Sequence, residues 1–240
     1  MQYRRLQSSG VIWVLVVSNI DLTTDLPKMK PSAFLKSSTK GFTLNLNNDY
    51  RYLKMGYYVS MHAEVLGNEV IPSTENMIDA SRTPILLLKA SKAGIPMLSY
   101  VMTSSVKQII DEFAFPVVVF AVNPFSYEGY KIAANRSALY RAVKSLSMNY
   151  KFAVCVQPLK GEMLSCKTIF GKCEYGGEIA AISEKVYETF RIPLCKLHVQ
   201  TVQGKAYLCG LQPLRTEEIF PSDLELVSAE IFRMSSKVNT

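Results

Sequence analysis

The feature that most restricts the fold is an uninterrupted apolar run near the N-terminus. Residues 11–17 are all hydrophobic and mostly β-branched, and the turn-forming pair Ser18-Asn19 follows them. A strand that is apolar at successive positions is buried on both faces, which is typical of a parallel sheet covered by helices. The run is far shorter than the roughly 20 residues of a membrane-spanning helix. The sequence therefore predicts an α/β fold with no membrane segment.

A helix and a second strand follow this run. Residues 47–49, Asn-Asn-Asp, offer N-cap side chains for a helix over residues 50–66, which Gly67-Asn68 would end in a left-handed turn. Residues 69–71 predict a short strand. The polar, proline-broken residues 21–42 predict a loop with one helical turn. Right-handed crossover geometry folds such a strand, helix and strand into a small Rossmann-like unit.

The rest of the chain alternates between helix and strand patterns and contains no internal repeat. Proline at a first helical position, glycine at helix ends and serine before amphipathic runs mark the helices, and β-branched runs mark the strands. The predicted helices are Thr83–Gly94, Ser105–Phe113, one capped by Ser137, Glu178–Phe190 and one capped by Ser222. The predicted strands are Phe115–Phe120, Lys131–Ala134, Phe152–Val156, Met163–Phe170 and a hairpin of Leu194–Val202 with Ala206–Leu211.

Charge and reactive side chains narrow the classes of function. The chain has 27 Lys and Arg against 20 Asp and Glu, a net charge of +7, which favours anionic partners. Because this charge is spread along the chain rather than clustered, nucleic acid is a poor candidate. Five cysteines without a C-x-x-C pair predict reduced thiols and a cytoplasmic protein. With only two histidines, Cys/His metal sites and Ser-His or Cys-His nucleophile systems are disfavoured.

Several segments, in this order, resemble the ATP-grasp superfamily of ATP-dependent ligases, in particular its RimK-like branch. The most specific match is with the N-terminal domain that precedes some RimK-like ATP-grasp modules. The resemblance covers about residues 11–214. The segments that carry it are Asp49–Ser60 with Ile71-Pro72-Ser73, Leu86–Pro96, Phe115–Val119, Val154–Glu162 and Leu197–Pro213.

This resemblance implies a fold and a reaction. We expect a Rossmann-like unit over residues 1–75 and then a shortened ATP-grasp-like unit of two α+β lobes, residues 76–150 and 151–240. Members of the superfamily join a carboxylate to an amine through an acyl-phosphate. The partners implied are a nucleotide, with ATP as cofactor, and a small carboxylate or peptide substrate.

The resemblance also implies particular binding residues. By analogy with the hinge strand of the family, the adenine would contact Gln157, Pro158 and Leu159. Gly129 and Lys131 would lie in a loop over the phosphates, although a polar turn with one glycine is common in any protein. Arg82 lies near a basic position that contacts ATP in the family. A solvated arginine beside a helix is the simpler interpretation.

Four positions depart from the pattern of the family. Phe120 stands where a lysine contacts ATP, and His198, Gly210 and Gln212 stand where carboxylates and an Asn hold the metal. ATP-dependent ligation needs cations for the triphosphate and carboxylates for Mg²⁺. For His198, a satisfied or exposed histidine in a strand is the simpler interpretation. The departures therefore predict weakened or lost catalysis, with no metal site and a doubtful role for Mg²⁺.

Two alternatives stay open from the sequence. In the first, the protein is an active ATP-dependent ligase whose metal ligands have moved to other carboxylates, for which the candidates are Glu128, Glu162, Glu174 and Glu178. In the second, it is a non-enzymatic module that binds a small molecule or a protein and has a regulatory role.

Overall fold

The computed structural model describes residues 14–123 and 129–238. The beginning of the first predicted strand, the predicted phosphate loop before Gly129 and the candidate ligand Glu128 lie outside the described residues. Within the described part, three four-stranded sheets are formed.

The first sheet is entirely parallel, as the apolar run predicts. Its strands are β1 Val14–Ser18, β2 Lys28–Met29, β3 Phe42–Leu46 and β4 Val70–Ile71, in the order β2-β1-β3-β4. Helices α1 Pro31–Phe34 and α2 Met55–Val65 follow β2 and β3. Gly67, at φ +75°, ends the turn after α2 as predicted.

The predictions for this region were wrong in three places. Strand β2 lies within residues 21–42, for which only a loop with one helical turn was predicted. Strand β3 was not predicted, although its five residues are all buried. Helix α2 begins at Met55 instead of Tyr50, because the Asp49 carboxylate accepts hydrogen bonds from the backbone and side chain of Arg51 and so stabilises a turn.

Two helices connect the first sheet to the next. Helix α3, Thr74–Ser81, was missed by the sequence analysis; the Ser73 hydroxyl oxygen caps it by accepting from the amide of Asn76. Helix α4, Thr83–Lys92, begins at Thr83-Pro84 as predicted, and Gly94 follows it at φ +70°.

The second sheet is antiparallel and carries two helices on its outer face. Its order is β5-β8-β6-β7, and α6 is capped by Asn135 rather than by the predicted Ser137. Strand β8, which follows the predicted boundary at residue 150, pairs with β5 and β6 and so belongs to the sheet of the preceding lobe. The two boundaries between the three predicted units stay predictions. The elements are β5 Val101–Thr103, α5 Val106–Glu112, β6 Val117–Ala121, β7 Tyr130–Ala133, α6 Arg136–Leu146 and β8 Val154–Pro158.

The third sheet is also antiparallel, in the order β10-β9-β11-β12. Its last two strands form the predicted hairpin, with Gln203 and Gly204 both at positive φ in the turn. The last helix begins at Pro221, so the predicted cap Ser222 lies inside it. The elements are β9 Glu162–Ile169, β10 Lys172–Cys173, α7 Gly177–Phe190, β11 Leu194–Val202, β12 Lys205–Gln212, a 3-10 turn Thr216–Glu218 and α8 Pro221–Val238.

The second sheet is buried on both faces, and this determines where a site can lie. Val117, Val119 and Val156 pack in a cluster with residues of α5 and α6. Val118 and Phe120 alternate with them and join the main core, which also contains residues of the first and third sheets. The second and third sheets are therefore in direct apolar contact. Within residues 14–123 and 129–238, no helix combines the length and the apolar character needed to cross a membrane.

Candidate functional site

The two departures Phe120 and Gly210 face each other across the interface of the second and third sheets. The Phe120 side chain is buried at 2% exposure. A β-carbon added to Gly210 would lie 2.8 Å from Cε1 of Phe120, closer than carbon atoms approach in folded proteins. The phenyl ring therefore occupies the space into which a side chain at residue 210 would extend.

The other two departures, His198 and Gln212, form a hydrogen-bonded pair beside this contact. Nε2 of His198 lies 2.8 Å from Oε1 of Gln212, to which it donates, and Nδ1 lies 2.8 Å from the hydroxyl of Ser165. The imidazole also meets the ring of Tyr130 edge-on at 4.8 Å between centroids. Burial lowers the pKa of His198 to about 4, against a smaller opposing effect of the bond to Gln212. The imidazole is neutral at neutral pH.

Gly129 packs directly on this pair. A β-carbon on Gly129 would lie 1.5 Å from Nε2 of Gln212, so any side chain there would displace the Gln212 amide from His198. Gly129 was predicted to lie close to phosphate, and in the structure its close neighbour is a protein side chain.

Each of the three predicted adenine contacts forms a hydrogen bond with protein atoms, whereas Oε1 of Gln157 is buried without a partner. The Gln157 side chain is fully buried, and its Nε2 donates to the carbonyl of Cys209 at 2.8 Å. The Pro158 carbonyl accepts from Nε2 of Gln200 at 3.1 Å, and the Leu159 amide donates to the carbonyl of Pro116 at 2.9 Å. These bonds join the end of β8 to β11, β12 and the start of β6. Adenine binding by these three residues stays a prediction.

An open cleft lies next to this closed interface, at the ends of β3, β7 and β12. Its volume is about 670 Å³. Basic side chains outnumber acidic ones among the residues that line it. These residues are Asn48, Asp49, Arg51, Gly129, Tyr130, Lys131, Lys196, Gln212, Pro213, Leu214, Arg215 and Glu217.

The predicted site residues divide between cleft and surface. Gly129 and Lys131 line the cleft, and the Lys131 ammonium donates to the hydroxyl of Ser145 at 3.0 Å. Arg82 is exposed at the junction of α3 and α4 and is not among the lining residues. The structure thus brings Gly129 and Lys131 together but leaves Arg82 and Gln157 apart from them.

The basic residues contributed by other segments were missed from the sequence. Arg51 pairs with Asp49 at 2.6 Å, and Lys196 pairs with Glu218. Burial alone would raise the pKa of the Glu218 carboxyl, but hydrogen bonds from Lys196 and from the Arg215 amide hold it below its ordinary value. No local pattern marks these residues, because the cleft joins segments more than a hundred positions apart in the chain.

Of the displaced carboxylates considered from the sequence, none of the three within the described residues lines the cleft. Glu162 begins β9 and Glu174 is exposed, whereas Glu178 accepts from the Ala206 amide at 2.6 Å. Across residues 14–123 and 129–238, no group of three or more His, Cys, Asp and Glu side chains is arranged to hold a metal ion.

The fold is that of ATP-grasp ligases. A D-alanine–D-alanine ligase from Bacillus anthracis is 14% identical, with a TM-score of 0.63 over 94% of this chain and 99% of that one. A RimK domain ATP-grasp protein from Sphaerobacter thermophilus is 12% identical, with a TM-score of 0.65 over 93% and 98%. The ATP-grasp ligase PsnB, in a complex with a minimal precursor, Mg and ADP, is 11% identical, with a TM-score of 0.63 over 93% and 98%.

At these identities the likeness concerns the fold alone, and no curated protein matches the sequence. The family described as RimK-like ATPgrasp N-terminal domain matches residues 32–230, which run through all three sheets. The chain therefore belongs to the RimK-like ATP-grasp N-terminal domain family.

Proposed function

We propose that this protein is an ATP-grasp-like binding module in which the ligase chemistry has been lost. The contact of Phe120 with Gly210 carries this proposal. By the resemblance to the family, a lysine and a metal-binding carboxylate would occupy these two positions. Here a neutral ring fills the volume that the carboxylate would need, so the two substitutions complement each other in shape and leave no charge.

Magnesium-bound ATP does not fit the interface as it is built. A divalent cation needs several oxygen ligands, mainly carboxylates, and the candidate positions offer a buried neutral imidazole, a glycine and an amide. The Gln212 amide oxygen already accepts from His198. Removing a preorganised group that stabilises charge costs about 3 kcal/mol in a typical active site, and several such groups are missing here.

The cleft beside the interface is where we place the retained binding activity. Its volume of about 670 Å³ lies within the range of about 300 to 1,000 Å³ that is usual for small-molecule sites. Four basic side chains against two acidic ones favour an anionic ligand. A nucleotide, bound through its phosphates without a metal, is the first ligand to test.

Calorimetric titration with ATP, with and without Mg²⁺, tests this proposal. We expect weak binding that is the same in both buffers, and we expect Lys131→Gln to weaken it. Tight binding that depends on Mg²⁺ would overturn the proposal and favour an active ligase with relocated ligands. Absence of binding in both buffers would refute the nucleotide and favour a module that binds a protein partner.

A further inference from the structure

The segment over residues 214–223, here called the C-terminal strap, crosses one rim of the cleft. It connects β12 to α8, and Leu214, Arg215 and Glu217 line the cleft. Asn48, at the end of β3, donates through Nδ2 to the Leu214 carbonyl at 3.1 Å and to the Thr216 hydroxyl at 3.2 Å. The strap is therefore tied to the first sheet at its start.

Beneath the strap, two lysines lie directly opposite each other in the third sheet. Lys167 of β9 and Lys196 of β11 are register partners. Like charges at directly opposed positions of adjacent strands are destabilising unless a counter-charge lies close to them. Both side chains keep 21% of their surface exposed, and Lys196 lines the cleft. The pair forms a small basic patch that begins in the cleft at Lys196 and continues under the strap at Lys167.

The strap supplies both counter-charges. The Glu218 carboxylate pairs with Lys196, and the Asp223 carboxylate pairs with Lys167, whose ammonium also donates to the Glu218 carbonyl at 3.1 Å. The second oxygen of Glu218 accepts from the Arg215 amide, and Asp223 accepts from the Phe220 amide. Backbone amides of the strap itself therefore orient both carboxylates toward the lysines.

We propose that Lys167 and Lys196 form an anion site at the edge of the cleft, with Lys196 facing the cleft and Lys167 covered by the strap, and that the strap is the internal, autoinhibitory ligand of this site. A phosphate-bearing molecule in the cleft binds Lys196 by displacing Glu218, which releases the middle of the strap. Leu214, buried at 2% exposure, remains as the hinge at the start of the strap. This inference rests on the proposed function, because it requires the cleft to accept anions.

Adjacent glutamates of the strap provide a matched test. Glu218→Gln removes the charge that pairs with Lys196, whereas Glu217→Gln removes the same charge from an exposed side chain that also lines the cleft. The probe is inorganic triphosphate, titrated calorimetrically without metal at constant ionic strength. We expect Glu218→Gln to bind it about fivefold tighter than wild type and Glu217→Gln to differ by less than about twofold, the size of effect that a partly exposed ion pair allows.

Hydrogen exchange on the wild-type protein gives a second measurement that needs no variant. Triphosphate should accelerate exchange of the amides over residues 216–220 and leave those of β11 unchanged. Equal affinities of the two Gln variants, or unchanged exchange in the strap while triphosphate binds, would overturn the strap proposal and leave the proposed function standing. Absence of triphosphate and ATP binding in all three proteins would instead refute the proposed function and the strap proposal with it.

Discussion

Two neighbouring regions beside β12 differ in the kind of contact that fills them. The interface between the second and third sheets is closed by neutral groups, with Phe120 against Gly210 and Tyr130 against His198, which is itself bonded to Gln212. The cleft next to it contains charged side chains, which form ion pairs such as that of Lys196 with Glu218. The difference teaches that neutral, closely packed contacts at the centre of an ATP-grasp-like fold are compatible with paired charges at its rim.

The largest expected effect is on packing at the interface. Phe120→Ala removes a fully buried ring and should lower the free energy of unfolding by about 3 to 5 kcal/mol. Gly210→Ala should lower it by about 1 to 3 kcal/mol, because its new methyl group overlaps the ring. Urea unfolding followed by circular dichroism measures both changes.

The double variant and an exposed phenylalanine control this prediction. Phe120→Ala with Gly210→Ala should cost less than the sum of the single changes, because the new methyl enters space that the ring has left. Phe232→Ala, at a side chain that is 72% exposed, should change the free energy of unfolding by less than about 0.5 kcal/mol. Additive effects would show that the Phe120 ring does not meet a methyl group at residue 210.

The second effect is a dependence of the protein's stability on pH, which arises from His198 at the interface. The pKa of His198 falls from an ordinary value of 6.5 in the unfolded chain to about 4 in the folded protein. Below about pH 6.5 the unfolded chain takes up a proton that the folded protein does not. His198 should therefore lower the stability by roughly 3 kcal/mol between pH 6.5 and pH 4, an effect that is absent above that range.

Unfolding curves across this pH range measure the effect, and His198→Gln is the matched control. The variant keeps an amide able to bond with its neighbours but cannot titrate, so its stability should depend less on pH than that of wild type. Identical slopes in the two proteins would contradict the buried, neutral state of His198.

The smallest effect concerns the polar rim of the cleft. Asn48→Ala removes both hydrogen bonds from the end of β3 to the strap, together with the bond that its Oδ1 accepts from Nδ2 of Asn19, and should lower the free energy of unfolding by about 1 kcal/mol. Thr216→Val removes only one of them and should cost less. A loss for Asn48→Ala as large as that for Phe120→Ala would erase the contrast between rim and interface.

Much of the chain's secondary structure follows from local patterns, but the site does not. The predicted hairpin and the helix after Thr83 are confirmed, because turn and cap residues act on their immediate neighbours. Strand β3 was missed because Thr43 and Asn45 alternate with its apolar residues, a pattern that is typical of a strand exposed on one face. In the structure the Asn45 amide donates to the Gly56 carbonyl and to the Ser60 hydroxyl, so a polar residue is satisfied inside the core.

Local sequence patterns are equally insufficient to explain the departures from the family pattern. Phe120 and Gly210 stand out in the sequence one at a time, but only the packing of β6 on β12 shows that one fills the space of the other. The pairing of Lys167 and Lys196 with the strap likewise depends on strand register and on the path of the chain after β12. Contacts between distant segments carry the functional argument, and local patterns do not encode them.

Nuclear magnetic resonance of the His198 imidazole tests the central claim most directly, because this ring lies in the middle of the closed interface. The chain has only two histidines, so comparison with His198→Gln assigns the signal. We predict that His198 stays neutral, with a pKa of about 4, and that ATP moves its resonances no further in the presence of Mg²⁺ than in its absence, because the metal has no ligands at the interface. A saturable shift of these resonances that requires both ATP and Mg²⁺ would contradict the account.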